Sequence, residues 1–195
     1  MQDSITIDSI TPLARDWGRL DRYEVTHARL DGTRQTVHRE VYDHGSAAAV
    51  LMFSAATRSV ILTRQFRLPP HLNGDPAWMI EAPAGLLDGE APALAARREA
   101  IEETGYEPEA LVFLFDAYMS SGSLTEKCAC FLGRYTPGRK LAEGGGLAHE
   151  GEDIEVFELE LDAALAMTAS GEICDAKTIM MLQALALKLA SGEPM

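Results

Sequence analysis

The segment REAIEETG, from Arg98 to Gly105, sets Glu99, Glu102 and Glu103 side by side with no lysine among them. ALAARREAIEET is rich in good helix formers. Pro92 suits the first turn of that helix, and Gly105 stands where a left-handed C-terminal cap is expected. At about 100° per residue, the three glutamates fall within an arc of about 100°. Leu94 and Ile101 are expected to supply the apolar side, with Arg97 and Arg98 flanking the acidic arc. Like charges one turn apart destabilise a helix by roughly 0.2–0.5 kcal/mol per pair. Two readings resolve this: a solvated acidic patch, or a site where a hard cation sits among carboxylate oxygens. Mg²⁺ and Mn²⁺ prefer such ligands.

The rest of the chain bounds what such a site could serve. Its 195 residues make one domain, or one domain with a sizeable appendage. The hydrophobic content of 47% and charged content of 24% describe an ordinary globular chain able to bury a core. No apolar run approaches the ~20 residues that span a bilayer, so no membrane partner is expected. The beginning MQDSITIDSI lacks a basic stretch followed by an apolar one, so no secretory signal is expected there. A net charge of -13 disfavours a nucleic-acid partner, whose phosphates are bound by Lys and Arg. It leaves room for a small phosphate ligand held by a few arginines with metal ions. The cysteines are Cys128, Cys130 and Cys174, an odd number that suggests reduced thiols and a cytoplasmic setting. Cys128 and Cys130 would share one face of a strand, where burial is favoured over metal binding or redox work.

The order of segments predicts mixed architecture. RYEVTHARL and TRQTVHREVY flank the turn signal Asp31-Gly32 in a β-rich N-terminal region. Strands are also predicted at AAAVLMF, SVILTRQFR, MIEAP, ALVFLFDAYM, EKCACFLGRY and IEVFELEL. PPHLNGDPAW and the stretch 136–153, with its run of three glycines, read as loops. LDAALAMTAS and DAKTIMMLQALALKLA are closing helices, the second capped by Asp175. The expected fold is α/β, a mixed sheet with helices packed against it.

The surroundings of the acidic helix decide between the two readings. Glu90, Arg98, Glu99, Glu102, Glu103 and Gly105 fall in register on the box of the Nudix hydrolase family, which this sequence resembles. Ala100 takes the apolar place inside the box and Tyr106 the last one. There is one departure: the register calls for glycine at Ala84, whereas the glycine is Gly85, so the loop to Glu90 is one residue short. REVYDHG, RQFR, EAPAGLLD, YMSSGSLTE, HEGEDIEV and GEICDAKTI resemble the branch that cleaves nucleoside-diphosphate sugars, the ADP-ribose pyrophosphatases and GDP-mannose hydrolases. REVYDHG, HLNGDP, the shortened box and DAKTI are more similar to the GDP-mannose type.

The resemblance implies an α/β/α Nudix sandwich over residues 46–195, preceded by a small N-terminal β-domain over 1–45 that helps form a homodimer, often by exchange between subunits. It implies Mg²⁺ or Mn²⁺ held by Glu99 and Glu103, with Glu102 as a further or supporting ligand and the backbone carbonyl of Ala84 completing the site. Arg98 and Glu90 would hold the loop-helix geometry with Gly85 and Gly105. The proton-accepting carboxylate is expected on the loop HEGED, with Glu150 the first candidate and Glu152 the second. Arg67, in RQFR, is placed at the substrate phosphates. Arg39 is a candidate that would reach substrate in a partner subunit, and Glu126 lies at the end of a loop expected to shape the sugar pocket. The implied activity is metal-dependent cleavage of a nucleoside-diphosphate sugar to a nucleoside monophosphate and a sugar phosphate. The rivals are a nucleotide-sugar sensor that has lost catalysis, which the intact glutamates oppose, and an RNA-processing enzyme, which the acidic balance opposes.

Overall fold

A computed structural model describes residues 5–192. The chain forms two compact units. The first comprises the strands up to Ser46 together with Tyr118–Lys127, and the second comprises Ala47–Ala117 with the chain from Cys128 onward.

The first unit is an antiparallel sheet in the order β1 (Thr6–Arg15), β2 (Arg19–Ala28), β3 (Arg34–Asp43). The β2–β3 hairpin closes around Leu30, Asp31 and Gly32: the Arg29 N–H donates to the Thr33 carbonyl at 2.7 Å, and Gly32 is left-handed at φ 84°. That is a short turn followed by a left-handed residue, a common hairpin closure. The strand β1 falls within the region expected to be β-rich, although its own bounds are not marked in the sequence. Its apolar residues do not alternate strictly because the register to β2 slips between Ile7 and Ser9 and again between Pro12 and Ala14. Each irregularity moves the side-chain alternation by one residue and hides the period of two. Tyr118–Lys127 joins this unit through Tyr42, whose N–H donates to the Ser123 carbonyl at 2.8 Å and whose carbonyl accepts from Thr125 N at 3.1 Å.

The second unit is built on β4 (Ala47–Ser54). Every residue of β4 is buried, as a continuous apolar run in a strand covered on both faces requires. It runs parallel to β9 (Lys127–Arg134) and antiparallel to β5 (Ser59–Phe66). The sheet order is β10-β5-β4-β9-β8, with β8 Leu111–Tyr118 and β10 Glu155–Glu160; β6 (Trp78–Glu81) adds to β5 and β7 (Ala84–Leu86) to β4. This is the expected mixed sheet with helices packed against it.

Three local expectations change. Residues Leu68–Leu72 form a five-residue helix, α1, inside the stretch read as loop; its prolines stand in the first turn, where the missing N–H costs nothing. Arg67 is the residue just before that helix and not part of β5. The apolar side of helix α2 (Pro92–Glu99) is supplied by Ala95 and Ala96, continued by Ala100, packed on Ala48, Val50 and Met52 of β4. Leu94 is exposed. Alanines allow the helix close to the central strand, and that closeness presses its carboxylates toward the sheet. Helices α3 (Leu161–Ser170) and α4 (Ala176–Ser191) complete the unit, and Asp175 caps α4 by accepting from Thr178 N at 2.9 Å.

Candidate active site

Helix α2 does not continue as a regular α-helix. From Ala100 to Thr104 it widens into a π-helical turn, which ends at Gly105 with φ 78°. Such turns insert one residue into the helical ladder and recur at functional sites. Here the turn itself carries Glu102 and Glu103.

The far side of that turn is closed by the run of three glycines. Gly145 N donates to the Glu103 carbonyl at 2.7 Å, and Gly146 N to the Glu102 carbonyl at 3.1 Å. These bonds satisfy helix-end carbonyls that have no partner within the helix. The approach is tight: a Cβ on Gly105 would stand 2.2 Å from the Ala142 carbonyl oxygen, and one on Gly144 would stand 2.5 Å from the Thr104 carbonyl carbon.

Arg98 is the hub of the box. Its guanidinium donates to Glu90 Oε2 at 2.9 Å, Glu99 Oε1 at 2.7 Å, Glu102 Oε2 at 3.1 Å and the Leu86 carbonyl at 3.0 Å. It therefore ties the loop to the helix and also neutralises part of the acidic arc. Glu99 lies over the β7 loop so closely that a Cβ on Gly85 would be 2.0 Å from Glu99 Oε1. A side chain at 85 would have to displace the Glu99 carboxylate above it. Ala84, one residue earlier, pairs with Ala49 of β4. The loop one residue short still places a glycine directly against Glu99.

Burial sets the electrostatics. Glu103 is 1% exposed, and its Oε2 is buried with no hydrogen-bond partner. Burial, then the charges of Glu99 and Glu152, push its carboxyl well above the ordinary range, with Arg67 opposing. Burial also pushes Glu99 up to about 7 against the pull of Arg98, with Glu102 and Glu152 adding to the rise. Among the described residues no three His, Cys, Asp or Glu side chains converge into a metal-holding group as they stand. Glu99 and Glu102 each give an oxygen to Arg98 instead. The donor set nevertheless fits a hard cation. Its members are oxygen ligands, one buried oxygen lacks any partner, and burial raises the carboxyls of Glu99 and Glu103.

The two loop carboxylates separate clearly. Glu150 ends a 3₁₀ turn, its side chain is 58% exposed, and it faces His149 at 3.7 Å. Glu152 accepts from Leu147 N at 2.8 Å, and its charge is the one felt by Glu99 and Glu103. The structure therefore brings Glu152, the second candidate, into the field of the box.

Arg67 is engaged from below by a residue that sequence reasoning missed. Its Nε and Nη2 donate to the two oxygens of Glu81, at 2.8 and 3.1 Å. Lys177 Nζ donates to Glu81 Oε2 at 2.6 Å and to Asp175 Oδ1 at 2.9 Å. Burial alone would raise Glu81, but Lys177 and Arg67 more than offset it and hold the carboxyl down at about 2. The available signal was a charged residue in the apolar strand MIEAP, immediately before the box loop. Arg39 and Glu126 belong to the first unit. Arg39 is exposed and donates to the His38 carbonyl at 2.8 Å, and Glu126 faces His44 at 3.7 Å.

A fold of this kind, carrying this box, defines a class that similarity supports. The NUDIX domain profile matches residues 43–193. The chain belongs to the Nudix hydrolase family. It is 44% identical over 172 residues to the GDP-mannose pyrophosphatase of Yersinia pestis (strain Pestoides F), covering 88% of this chain and 86% of the relative. It is 45% identical over 184 residues to that of Pectobacterium atrosepticum, covering 94% of each. A crystal structure of an ADP compounds hydrolase shares the fold, with a TM-score of 0.72, 20% sequence identity, and coverage of 96% of this chain and 95% of that one. Among the described residues no helix is long and apolar enough to cross a membrane.

Proposed function

We propose that the chain hydrolyses the pyrophosphate bond of a nucleoside-diphosphate sugar, with GDP-mannose as the preferred substrate, giving GMP and mannose 1-phosphate. The observation that carries the reading is Glu103, whose buried, unpartnered oxygen stands beside Glu99 at the end of the box helix. The names of the relatives at 44–45% identity support the choice of GDP-mannose over ADP-ribose.

Glu99, Glu103 and the carbonyl of Ala84 would hold Mg²⁺ or Mn²⁺, with Glu102 as a further or supporting ligand. A divalent cation bound there neutralises the pyrophosphate and lowers the pKa of its bound water. Arg67 presents its guanidinium to the substrate phosphates, a forked contact suited to arginine. Glu152 accepts the proton of the attacking water, with Glu150 the alternative. The water oxygen bonds to one phosphorus, and the bond from that phosphorus to the bridging oxygen breaks. Arg98, Glu90, Gly85 and Gly105 keep the loop and helix in register. In the first unit, Arg39 and Glu126 are the substrate-side candidates.

The assembly is a homodimer formed through the first unit, whose β1 exposes Ile7, Ile10 and Leu13. Cys128, Cys130 and Cys174 are not joined by disulfides, which fits a reducing, cytoplasmic setting.

The test is product release from GDP-mannose, ADP-ribose, ADP-glucose, FAD and NADH, each with and without Mg²⁺. Mg²⁺-dependent cleavage with GDP-mannose fastest is expected. A preference for ADP-ribose would keep the mechanism and overturn the substrate. No Mg²⁺-dependent cleavage of any of the five would return the chain to the sensor reading.

A further inference from the structure

We propose that Glu81, anchored by Lys177, is a positioning residue that aims the guanidinium of Arg67 at a substrate phosphate. The inference rests on the reading that Arg67 meets the pyrophosphate.

The geometry divides the arginine into two edges. Glu81 takes Nε with one oxygen and Nη2 with the other, so a single edge of the guanidinium is fully used. A guanidinium has five N–H donors, and the end carrying Nη1 and the second Nη2 hydrogen remains for another ligand. The Arg67 side chain is 40% exposed, while that of Glu81 is 4% exposed. The carboxylate therefore lies on the inner side of the pair, and the cation on the outer.

Glu81 is itself fixed rather than left to follow the arginine. Lys177 donates to Glu81 Oε2 and to Asp175, and Asp175 accepts from both Thr178 N at 2.9 Å and Thr178 Oγ1 at 2.6 Å. Thr178 Oγ1 in turn accepts from Ala82 N at 2.7 Å, beside Glu81 in the chain. The first turn of α4 is thereby tied to the end of β6. The two cations and two anions cancel, which allows the group to be buried without net charge. Arg67 remains the positive charge that reaches Glu103. A flexible arginine would lose side-chain entropy each time it bound a phosphate; one already clamped loses less.

A purely structural network would serve the fold equally well, so the test must separate the two roles. Steady-state hydrolysis of GDP-mannose with Mg²⁺ is measured for the full chain and for Glu81→Gln, Arg67→Ala and the double variant, with thermal unfolding alongside. Glu81→Gln is expected to raise KM about tenfold with a smaller change in kcat. In the Arg67→Ala background the same change is expected to alter KM by less than about twofold, because the group it aims is gone. Equal effects in both backgrounds, or an unchanged KM in Glu81→Gln, would overturn the positioning role. An unchanged KM in Arg67→Ala would instead overturn the reading of Arg67 itself, and the inference with it. Should Glu81→Gln fail to fold, Glu81→Asp keeps the charge, shortens the clamp and supports the same comparison.

Discussion

Glu103 shows how a single residue carries conflict as information. A carboxylate 1% exposed with one oxygen unpartnered costs free energy unless something positive reaches it. The loop carboxylates divide on the same criterion, since Glu152 stands in the field of Glu99 and Glu103 while Glu150 faces outward. Glu152→Gln is therefore expected to lower kcat by about a hundredfold, within the range for a lost general base. Glu150→Gln is expected to stay within about threefold of the parent. Single-turnover rates for the two variants decide it, and the reverse ranking would restore Glu150. The sequence places Glu150 first and Glu152 second, both acidic residues of one polar loop. The backbone hydrogen bond from Leu147 N to Glu152 favours the other order, and spacing does not reveal it. Glu81 and Lys177 were hidden for a related reason: their contact spans 96 positions, and no local period reports a contact that distant.

At the scale of elements, the box helix was legible at both ends. Pro92 begins it and Gly105 ends it with positive φ, because a proline at the first turn and a left-handed glycine at the last are local requirements. Its middle was not legible. The π-helical turn follows no change of residue type, and the burying face is alanine rather than the leucine that periodicity favoured. The N-terminal region was legible as β-structure, but the bounds of β1 were not, because two irregularities of register hide its alternation. The tie between β6 and α4 makes a thermodynamic prediction. Glu81 is held at about 2 in the folded chain against an ordinary 4.5, so its contribution is fully present above the ordinary value. That contribution is lost as pH falls through the folded value. The gap in unfolding free energy between the parent and Glu81→Gln should narrow by roughly 3 kcal/mol between about pH 6 and about pH 2. Urea unfolding at a series of pH values measures this, and a gap independent of pH would contradict the buried ion cluster.

For the whole molecule, composition and the mixed order of strands and helices indicated the α/β fold, and the sheet centred on β4 has that character. The grouping of Tyr118–Lys127 with the N-terminal strands was not visible, since it depends on the pairing of Tyr42 with Ser123 and Thr125. An edge strand exposed along all ten residues, with Ile7 at 57% and Ile10 at 53% exposure, is a liability unless another surface covers it. The proposed homodimer would supply that surface. Light scattering on the eluting peak should give the mass of two chains, and Ile7→Glu with Ile10→Glu should shift it toward one. A single-chain mass for the parent would contradict the assembly.

A cation among the three glutamates of the box would explain why they tolerate one another. The most direct measurement is turnover of GDP-mannose by the parent and by Glu103→Gln, with and without Mg²⁺, with unfolding temperatures recorded in parallel. Mg²⁺-dependent turnover by the parent is expected, with a loss of about a thousandfold in the variant. Without metal the variant should unfold no lower than the parent, since it replaces a buried carboxylate by a neutral amide. A variant that turns over at the parental rate with Mg²⁺ would contradict the assignment of Glu103, and with it the cation site.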